Sequence, residues 1–318
     1  VVYLLEQPVV LKGSFSKHFL DVPAVVLVEC MKKHQKYFPC YKSNKLTAHF
    51  LFVADNVTAK NKDIIIKGNQ RVLEARLQDA LFFWKEDRSV AFKTYAERLK
   101  GLVYQHKLGS MYDKQERLAV LLNLFKSLKY TALAKKQLSQ VAHLSKLDLV
   151  TQMVTEFPSL QGLMGGLYAH QEEAVVSEAI SEQYLPLYYG GELPKSEAGF
   201  FLSLADRFDH LVASFYIGAK PTGSQDPLAL RRIVYSIFSL LFKRALAFDF
   251  HAVVDHCYAS FSNEVKHKKR LYDFVEQRLK SFLMDRGLRY DTADAVLHLA
   301  YDNVSYAVEV GLILDASR

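Results

Sequence analysis

The sequence has few cysteines, and they are widely spaced. Cys30, Cys40 and Cys257 are the only three, and no pair forms a CxxC motif. Structural zinc sites and disulfide frameworks need closely spaced thiols, or thiols with histidines nearby. We therefore expect reduced cysteines in a cytoplasmic protein, not a zinc-stabilised or disulfide-rich fold.

Long apolar segments are also missing. The longest apolar run, residues 233–242, includes two serines and has arginines and lysines on both sides. It is about half as long as a membrane-spanning helix must be. Residues 1–5 carry neither the basic region nor the cleavage site of a signal peptide, and they read as a strand without an initiator methionine. We expect no membrane span and a chain cut from a longer protein.

The common signatures of enzymes are absent as well. The sequence contains no P-loop, no Rossmann glycine fingerprint, no HExxH and no GxSxG motif. The glycine-rich segment 162–166 follows a Phe-Pro break, not a strand. Its glycines are predicted to allow close helix packing or a kink, in preference to binding a phosphate.

The composition is that of an ordinary globular protein. Half of the 318 residues are hydrophobic and 24% are charged, which is enough for about two domains with a sizeable core. The net charge of +7 suits a protein that contacts nucleic acid, but many proteins without that role carry a similar surplus.

Hydrophobic periodicity predicts an α+β protein that is mostly α-helical. Residues 1–105 read as a mixed α/β domain, with strands at 1–5, 8–11 and 48–54 and a helix after Pro23. A long helix is predicted from about Asn69, with a buried stripe from Leu73 to Trp84. Residues 106–247 read as a helical domain, and 248–318 as the helical start of another.

The helical domain resembles the scaffold of the HD phosphohydrolases, in which histidines and aspartates hold a divalent metal. Asp148 and Asp206 match the two aspartates, whereas Lys114 and Leu147 stand where histidines would be needed. Two carboxylates alone bind transition metals poorly. A metal-free fold that keeps its aspartates for hydrogen bonds is the favoured interpretation.

Two segments have the chemistry of nucleic-acid contact. Residues 31–38, MKKHQKYF, interleave cations with aromatics, which can pair phosphates and stack a base. Loop 218–227, GAKPTGSQDP, precedes Arg231 and Arg232 at the start of a helix, a setting suited to phosphate. Each has a structural alternative. The first segment can be a helix end whose cations interact favourably with the C-terminal end of the helix dipole. The second can be a rigid connector in which Ser224 or Asp226 caps the next helix.

Six segments, in one order, closely resemble the β chain of the bacterial two-chain glycine–tRNA ligase. They are MKKHQKYF (31–38), GNQRVLEARLQDA (68–80), KLGSMYDK (107–114), KLDL (146–149), EFPSLQG (156–162) and GAKPTGSQDP (218–227) with Leu230-Arg-Arg232. The match runs from about residue 5 to 245 and is weak beyond. Leu147 and Leu228 depart from the family's usual alanine and phenylalanine but stay apolar.

The resemblance implies a non-catalytic part of the ligase. In this family the α chain holds the active site and uses ATP and Mg²⁺, so no cofactor or metal is expected here. The expected partners are the tRNA for glycine and the α chain, in a cytoplasmic hetero-oligomer such as a heterotetramer. The anticodon-binding domain of the family would follow residue 318 and is not present.

Chemistry, not the resemblance, selects the candidate tRNA-binding residues. They are Lys32, Lys33, Lys36, Arg71, Arg76, Lys220, Ser224, Arg231 and Arg232. Two other functions stay open from the sequence. One is a metal-dependent HD phosphohydrolase acting on a nucleotide, and the other is a helical module that binds only protein.

Overall fold

The computed structural model describes residues 5–221, 226, 228–261 and 267–317. The strands are β1 Val9–Ser14, β2 Phe38–Lys42, β3 Lys45–Ala54, β4 Val103–Gln105 and β5 Gly109–Ser110. Helices α1 to α7 are Ala24–Gln35, Lys62–Asp87, Tyr95–Leu99, Met111–Ser127, Lys135–Leu144, Gln152–Glu156 and Leu163–Tyr168. Helices α8 to α14 are Ala174–Glu182, Glu197–Tyr216, Leu230–Arg244, Phe250–Ala259, Lys268–Met284, Tyr290–Asp302 and Val304–Ala316. The predicted class, mostly helical α+β, is confirmed.

The chain divides into two compact units. Unit 1 comprises residues 1–92 and 151–161, and unit 2 comprises 93–150 and 162–318. The predicted domain boundaries at residues 105 and 247, and the HD-like character of the helical domain, stay predictions. The strand predicted at residues 1–5 falls, except for Leu5, outside the described residues. None of the described helices is long and apolar enough to cross a membrane.

The sheet of unit 1 is antiparallel, with strand order β1-β3-β2. Strand β3 alternates as expected for a half-buried strand, because Ala48, Phe50 and Phe52 are buried and the residues between them are not. Gly13 of β1 lies opposite Phe50. A Cβ at Gly13 would lie 2.5 Å from the Phe50 ring, so this position needs glycine.

Helix α2 of unit 1 begins earlier than predicted, at Lys62 instead of about Asn69. The segment before it is ordered by Asn61, whose Oδ1 accepts from the Thr58 backbone N–H at 2.7 Å. The predicted stripe is buried from Leu73 to Leu81, and each fully buried leucine contributes about 1.5–3 kcal/mol. The prediction that Trp84 is buried with them is wrong. Its ring is half-buried, with the Arg88 guanidinium 4.7 Å from the ring centroid.

Helix α9 is the central element of unit 2. It is apolar on nearly all sides and packs against α4, α8, α10 and α11, as a fully buried helix does. Its N-cap is Ser196, whose Oγ accepts from the Gly199 backbone N–H at 3.0 Å. Its two aspartates, Asp206 and Asp209, are therefore carried into the interior of unit 2.

Helix α4 begins with a capping box. The Asp113 backbone N–H donates to Ser110 Oγ at 3.2 Å, and the Ser110 backbone N–H donates to Asp113 Oδ2 at 2.6 Å. This cap fixes the first turn of the helix. The next residue, Lys114, consequently points into unit 2 and is only 3% exposed.

Candidate functional site

Two of the four candidate HD positions, Lys114 and Asp206, meet in a cluster of buried charges in unit 2. Asp206 Oδ1 lies 3.2 Å from Lys114 Nζ and 2.9 Å from Lys146 Nζ. Lys146, which sequence reasoning did not select, is 1% exposed and directly precedes Leu147. We call Lys114, Lys146, Asp206 and Asp209 the charge cluster.

Asp209 extends the cluster by one helical turn. Its Oδ2 lies 2.8 Å from Lys114 Nζ, and its Oδ1 accepts from Arg117 Nε at 2.6 Å. Lys114 therefore has two carboxylates, whereas Lys146 shares Asp206 with Lys114. With Arg117 the three cations outnumber the two aspartates, which is tolerated in a core only when each charge is paired.

The pKa values follow from this pairing. Burial opposes the charged form of Asp206, but the Lys114 and Lys146 ammoniums outweigh it and hold the pKa of Asp206 below its usual value. Burial likewise opposes the charge of Lys114, yet Asp206 and Asp209 hold its pKa above the usual value. For Lys146 burial prevails over the single shared carboxylate, so its pKa is lowered.

Asp148 has a different role. Its Oδ2 accepts backbone N–H groups from Gly162 at 2.5 Å and Gly165 at 3.1 Å, which ties the start of α7 to the segment 147–150. Burial raises the pKa of this carboxyl to about 6, although the two amides and Lys146 oppose the shift. Leu147 beside it is 1% exposed and belongs to the apolar core.

The charge cluster does not suit a metal ion. Two ammonium groups already occupy the side of Asp206 that a metal would need, and Asp148 is used by backbone amides. In the described part of the chain, no group of three or more histidine, cysteine, aspartate or glutamate side chains is arranged to hold a metal. Ion pairs and hydrogen bonds therefore account for the aspartates that resemble HD ligands.

The glycine-rich segment 162–166 serves helix packing, as predicted. A Cβ at Gly165 would lie 2.7 Å from Ile180 Cγ2, and a Cβ at Gly166 would lie 2.7 Å from the Ser177 carbonyl oxygen. Helix α7 can thus approach α8 only because these positions lack side chains.

The candidate cations of unit 1 lie on two neighbouring helices. Lys32 and Lys33 are exposed in the last turns of α1, and Lys36 is its left-handed C-cap. The Tyr37 hydroxyl donates to Asn69 Oδ1 at 2.6 Å, which places the end of α1 beside α2. Both interpretations of these lysines, phosphate contact and favourable charge at a helix end, stay open.

Of the two arginines on α2, one is exposed and one is paired. Arg71 is exposed, whereas Arg76 is half-buried with its Nη1 3.8 Å from Glu156 Oε1. An ion pair this long and this exposed is weak. Arg76 is therefore a less available cation than Arg71.

In unit 2 the candidate loop is only partly described. Lys220 is exposed, and Ser224 lies outside the described residues. The Asp226 carboxylate accepts the backbone N–H groups of Leu230 at 2.7 Å and Arg231 at 2.9 Å. The predicted alternative that Asp226 caps the next helix is confirmed, and these two amides are not open to a phosphate.

Arg231 and Arg232 instead line a surface cavity of about 350 Å³. It is also lined by Tyr235 of the same helix and by residues of two distant segments, Tyr188 and Tyr189 before α9 and residues within 278–285 of α12 and its end. Sequence reasoning missed these residues. The adjacent tyrosines before Gly190 and Gly191 were a visible signal, but nothing in their spacing indicated which helix they would face.

Comparison with known proteins gives one consistent result. A family model described as "Glycyl-tRNA synthetase beta subunit" matches residues 1–298. The glycine–tRNA ligase β subunit of Clostridioides difficile (strain 630) is 43% identical over 312 residues, which is 96% of this chain and 45% of that protein. That of Syntrophomonas wolfei is 41% identical, covering 93% of this chain and 44% of that protein. That of Desulforamulus reducens is 39% identical, covering 100% of this chain and 47% of that protein. The chain thus spans about half the length of the curated relatives it matches.

Proposed function

The chain belongs to the glycyl-tRNA synthetase β-subunit family, and from that premise we propose that it serves the attachment of glycine to its tRNA by binding tRNA and the catalytic α chain. The observation that carries this proposal is the family match, which extends over nearly the whole chain. The exposed cations of both units and the net charge of +7 support contact with an RNA backbone.

In this proposal the chain is the non-catalytic partner in the cytoplasm. The α chain would bind ATP, Mg²⁺ and glycine, so this chain needs no cofactor of its own. The charge cluster supports that division of roles, because its carboxylates are engaged by Lys114 and Lys146. The three cysteines are free thiols, which is consistent with a reducing compartment.

Binding of the α chain is supported by an exposed face of α2. Ile64, Val72 and Phe82 lie on one side of this helix and are 71%, 45% and 52% exposed. Exposed apolar side chains of this size supply contact area in protein interfaces. We expect Phe82→Glu to weaken co-purification with the α chain while leaving the melting temperature unchanged. Undiminished association would remove α2 from the proposed interface.

A salt titration of tRNA binding tests the RNA part of the proposal. The affinity for glycine tRNA should fall with salt with a slope of several units in log K against log salt. Replacing Lys32, Lys33 and Lys36 with glutamine should lower that slope by about one unit per lost phosphate contact. An unrelated tRNA measured alongside shows whether the chain prefers the glycine tRNA.

A matched control separates local contact from overall charge. The control variant replaces three exposed lysines of the same unit, Lys42, Lys45 and Lys60, with glutamine. An equal loss in both variants would show that only net charge matters. If the chain does not bind tRNA at any salt concentration, its role is confined to protein contact and the RNA part of the proposal is wrong.

A further inference from the structure

The cavity beside Arg231 and Arg232 combines aromatic rings with cations. The rings of Tyr189 and Tyr235 have centroids 3.9 Å apart, and Tyr235 continues to Phe282 at 5.2 Å. Tyr188 and Tyr189 are 65% and 60% exposed. Large apolar rings left this open on one concave surface are unusual for a protein with no ligand there.

Tyr188, Tyr189 and Tyr235 form one side of the cavity, which we call the tyrosine wall, and Tyr189 is fixed in position without a ligand. The Tyr189 hydroxyl donates to Asp285 Oδ2 at 2.6 Å, and its ring rests on Tyr235, which belongs to α10. A tyrosine held by both its hydroxyl and its ring face loses little conformational entropy when a planar group stacks against the tyrosine wall. Among the described residues none holds the Tyr188 hydroxyl by a hydrogen bond, and its ring is the more exposed of the two.

The cations of the cavity exceed its anions. Arg231, Arg232 and Arg278 line it together with one carboxylate, Asp285, which already accepts the Tyr189 hydroxyl. The Nε of Arg278 is buried and has no hydrogen-bond partner among the residues that the structure describes. Arg232 is exposed, and no ion pair to it occurs in those same residues. Guanidinium groups in this setting suit phosphate oxygens, which they can bind with two parallel hydrogen bonds.

We propose that this cavity binds one unpaired nucleotide of the tRNA, with its base stacked on the tyrosine wall and its phosphate on the arginines. The proposal rests on the proposed tRNA binding and names the part of the RNA that this surface takes. Stacking rings beside arginines are typical of proteins that bind single-stranded RNA. A cavity of about 350 Å³ also falls within the range of small-ligand sites. An acidic peptide would use the arginines but leave the stacked rings without a function.

The test uses the whole chain and a fluorescent single-stranded RNA of eight nucleotides. Tyr188→Ala should weaken binding by about 5- to 150-fold, which is the range for losing one stacked base. Tyr188→Phe should restore binding, because the ring is kept. Tyr306→Ala removes an equally accessible tyrosine outside the cavity, 53% exposed, and should have no effect.

The arginines are tested by the salt dependence. Arg278→Gln should weaken binding and lower the salt slope by about one unit. Arg98→Gln removes the same charge from an exposed site elsewhere in unit 2 and should leave the slope unchanged. A fully paired duplex with the same number of phosphates should bind more weakly and be indifferent to Tyr188→Ala.

The possible failures are distinguishable. If tRNA binds and responds to Lys32, Lys33 and Lys36 but not to Tyr188, the cavity inference is wrong and the proposed function stands. If an acidic octapeptide displaces the RNA as well as unlabelled RNA does, the cavity takes a peptide and the inference is again wrong. If neither tRNA nor the octamer binds, the proposed RNA function fails and the inference fails with it.

Discussion

Replacing Asp206 with asparagine tests whether the charge cluster is held together by its carboxylates. Asparagine keeps the size of the side chain and removes the charge that faces Lys114 and Lys146 at 3.2 and 2.9 Å. At an effective dielectric constant of about 20, each contact at these separations is worth about 5 kcal/mol before desolvation. The variant no longer buries a carboxylate, which offsets part of the loss. Lys114 also keeps Asp209 at 2.8 Å. We expect a net loss of about 3–5 kcal/mol in the free energy of unfolding.

The loss should depend on pH through Lys146. Asp206 is the carboxylate that most raises the pKa of this lysine against the effect of burial, and the variant lacks it. Lys146 in the folded variant then binds fewer protons than in the unfolded chain, where its pKa is near 10.5. Stability of the variant should therefore rise relative to the wild type as the pH increases from 7 towards 10.

Urea unfolding provides the measurement. Far-UV circular dichroism reports the helices of both units, whereas the fluorescence of Trp84, the only tryptophan, reports unit 1. Asp294→Asn is the control, because Asp294 is half-exposed and pairs with Lys280 at 2.5 Å at the surface of unit 2. The control should change stability by no more than the measurement error. A loss below about 1 kcal/mol for Asp206→Asn, or a loss that does not shrink at high pH, would refute the reasoning.

Three further predictions concern single side chains. Asp148→Asn keeps an oxygen for the backbone amides but has no titrating proton. Because burial raises the pKa of Asp148 in the wild type from 3.8 to about 6, the free energy of unfolding of the wild type should fall by up to about 3 kcal/mol relative to the variant as the pH rises from 4 to 6. Parallel stability curves of the two proteins in that window would contradict this prediction. Gly165→Ala places a Cβ 2.7 Å from Ile180 and should cost about 1–3 kcal/mol, whereas Gly68→Ala, in open space on α2, should stabilise by about 0.5–1 kcal/mol; equal effects in thermal melts would refute the packing argument. Trp84→Ala should cost about 2 kcal/mol in urea unfolding, less than the 3–5 kcal/mol of a buried ring, and a larger loss would show that its exposed side contributes stability.

Much of the fold was predictable because it is encoded locally. The strand predicted at 48–54 lies within β3, and the stripe from Leu73 to Leu81, a pattern of period 3.6, is buried as predicted. The start of α2 was predicted too late, since three consecutive isoleucines at 64–66 read as strand more than as helix. The half-burial of Trp84 was missed because a periodic stripe says which side faces the core, not where the core ends.

The sequence by itself determined the family, the fold class and the absence of intact HD histidines, because each rests on residue identity at fixed spacing. Only the tertiary structure decided which charges and rings meet. Lys114, Lys146 and Asp206 are separated by up to 92 residues, and Tyr189, Tyr235 and Asp285 by 96, yet each set shares one site. Such contacts depend on how helices pack across the unit, a relation that local periodicity does not contain. The partner of Lys146 and the tyrosine–arginine cavity were therefore decided by packing, whereas the cap supplied by Asp226 is a local contact that the sequence offered as an alternative.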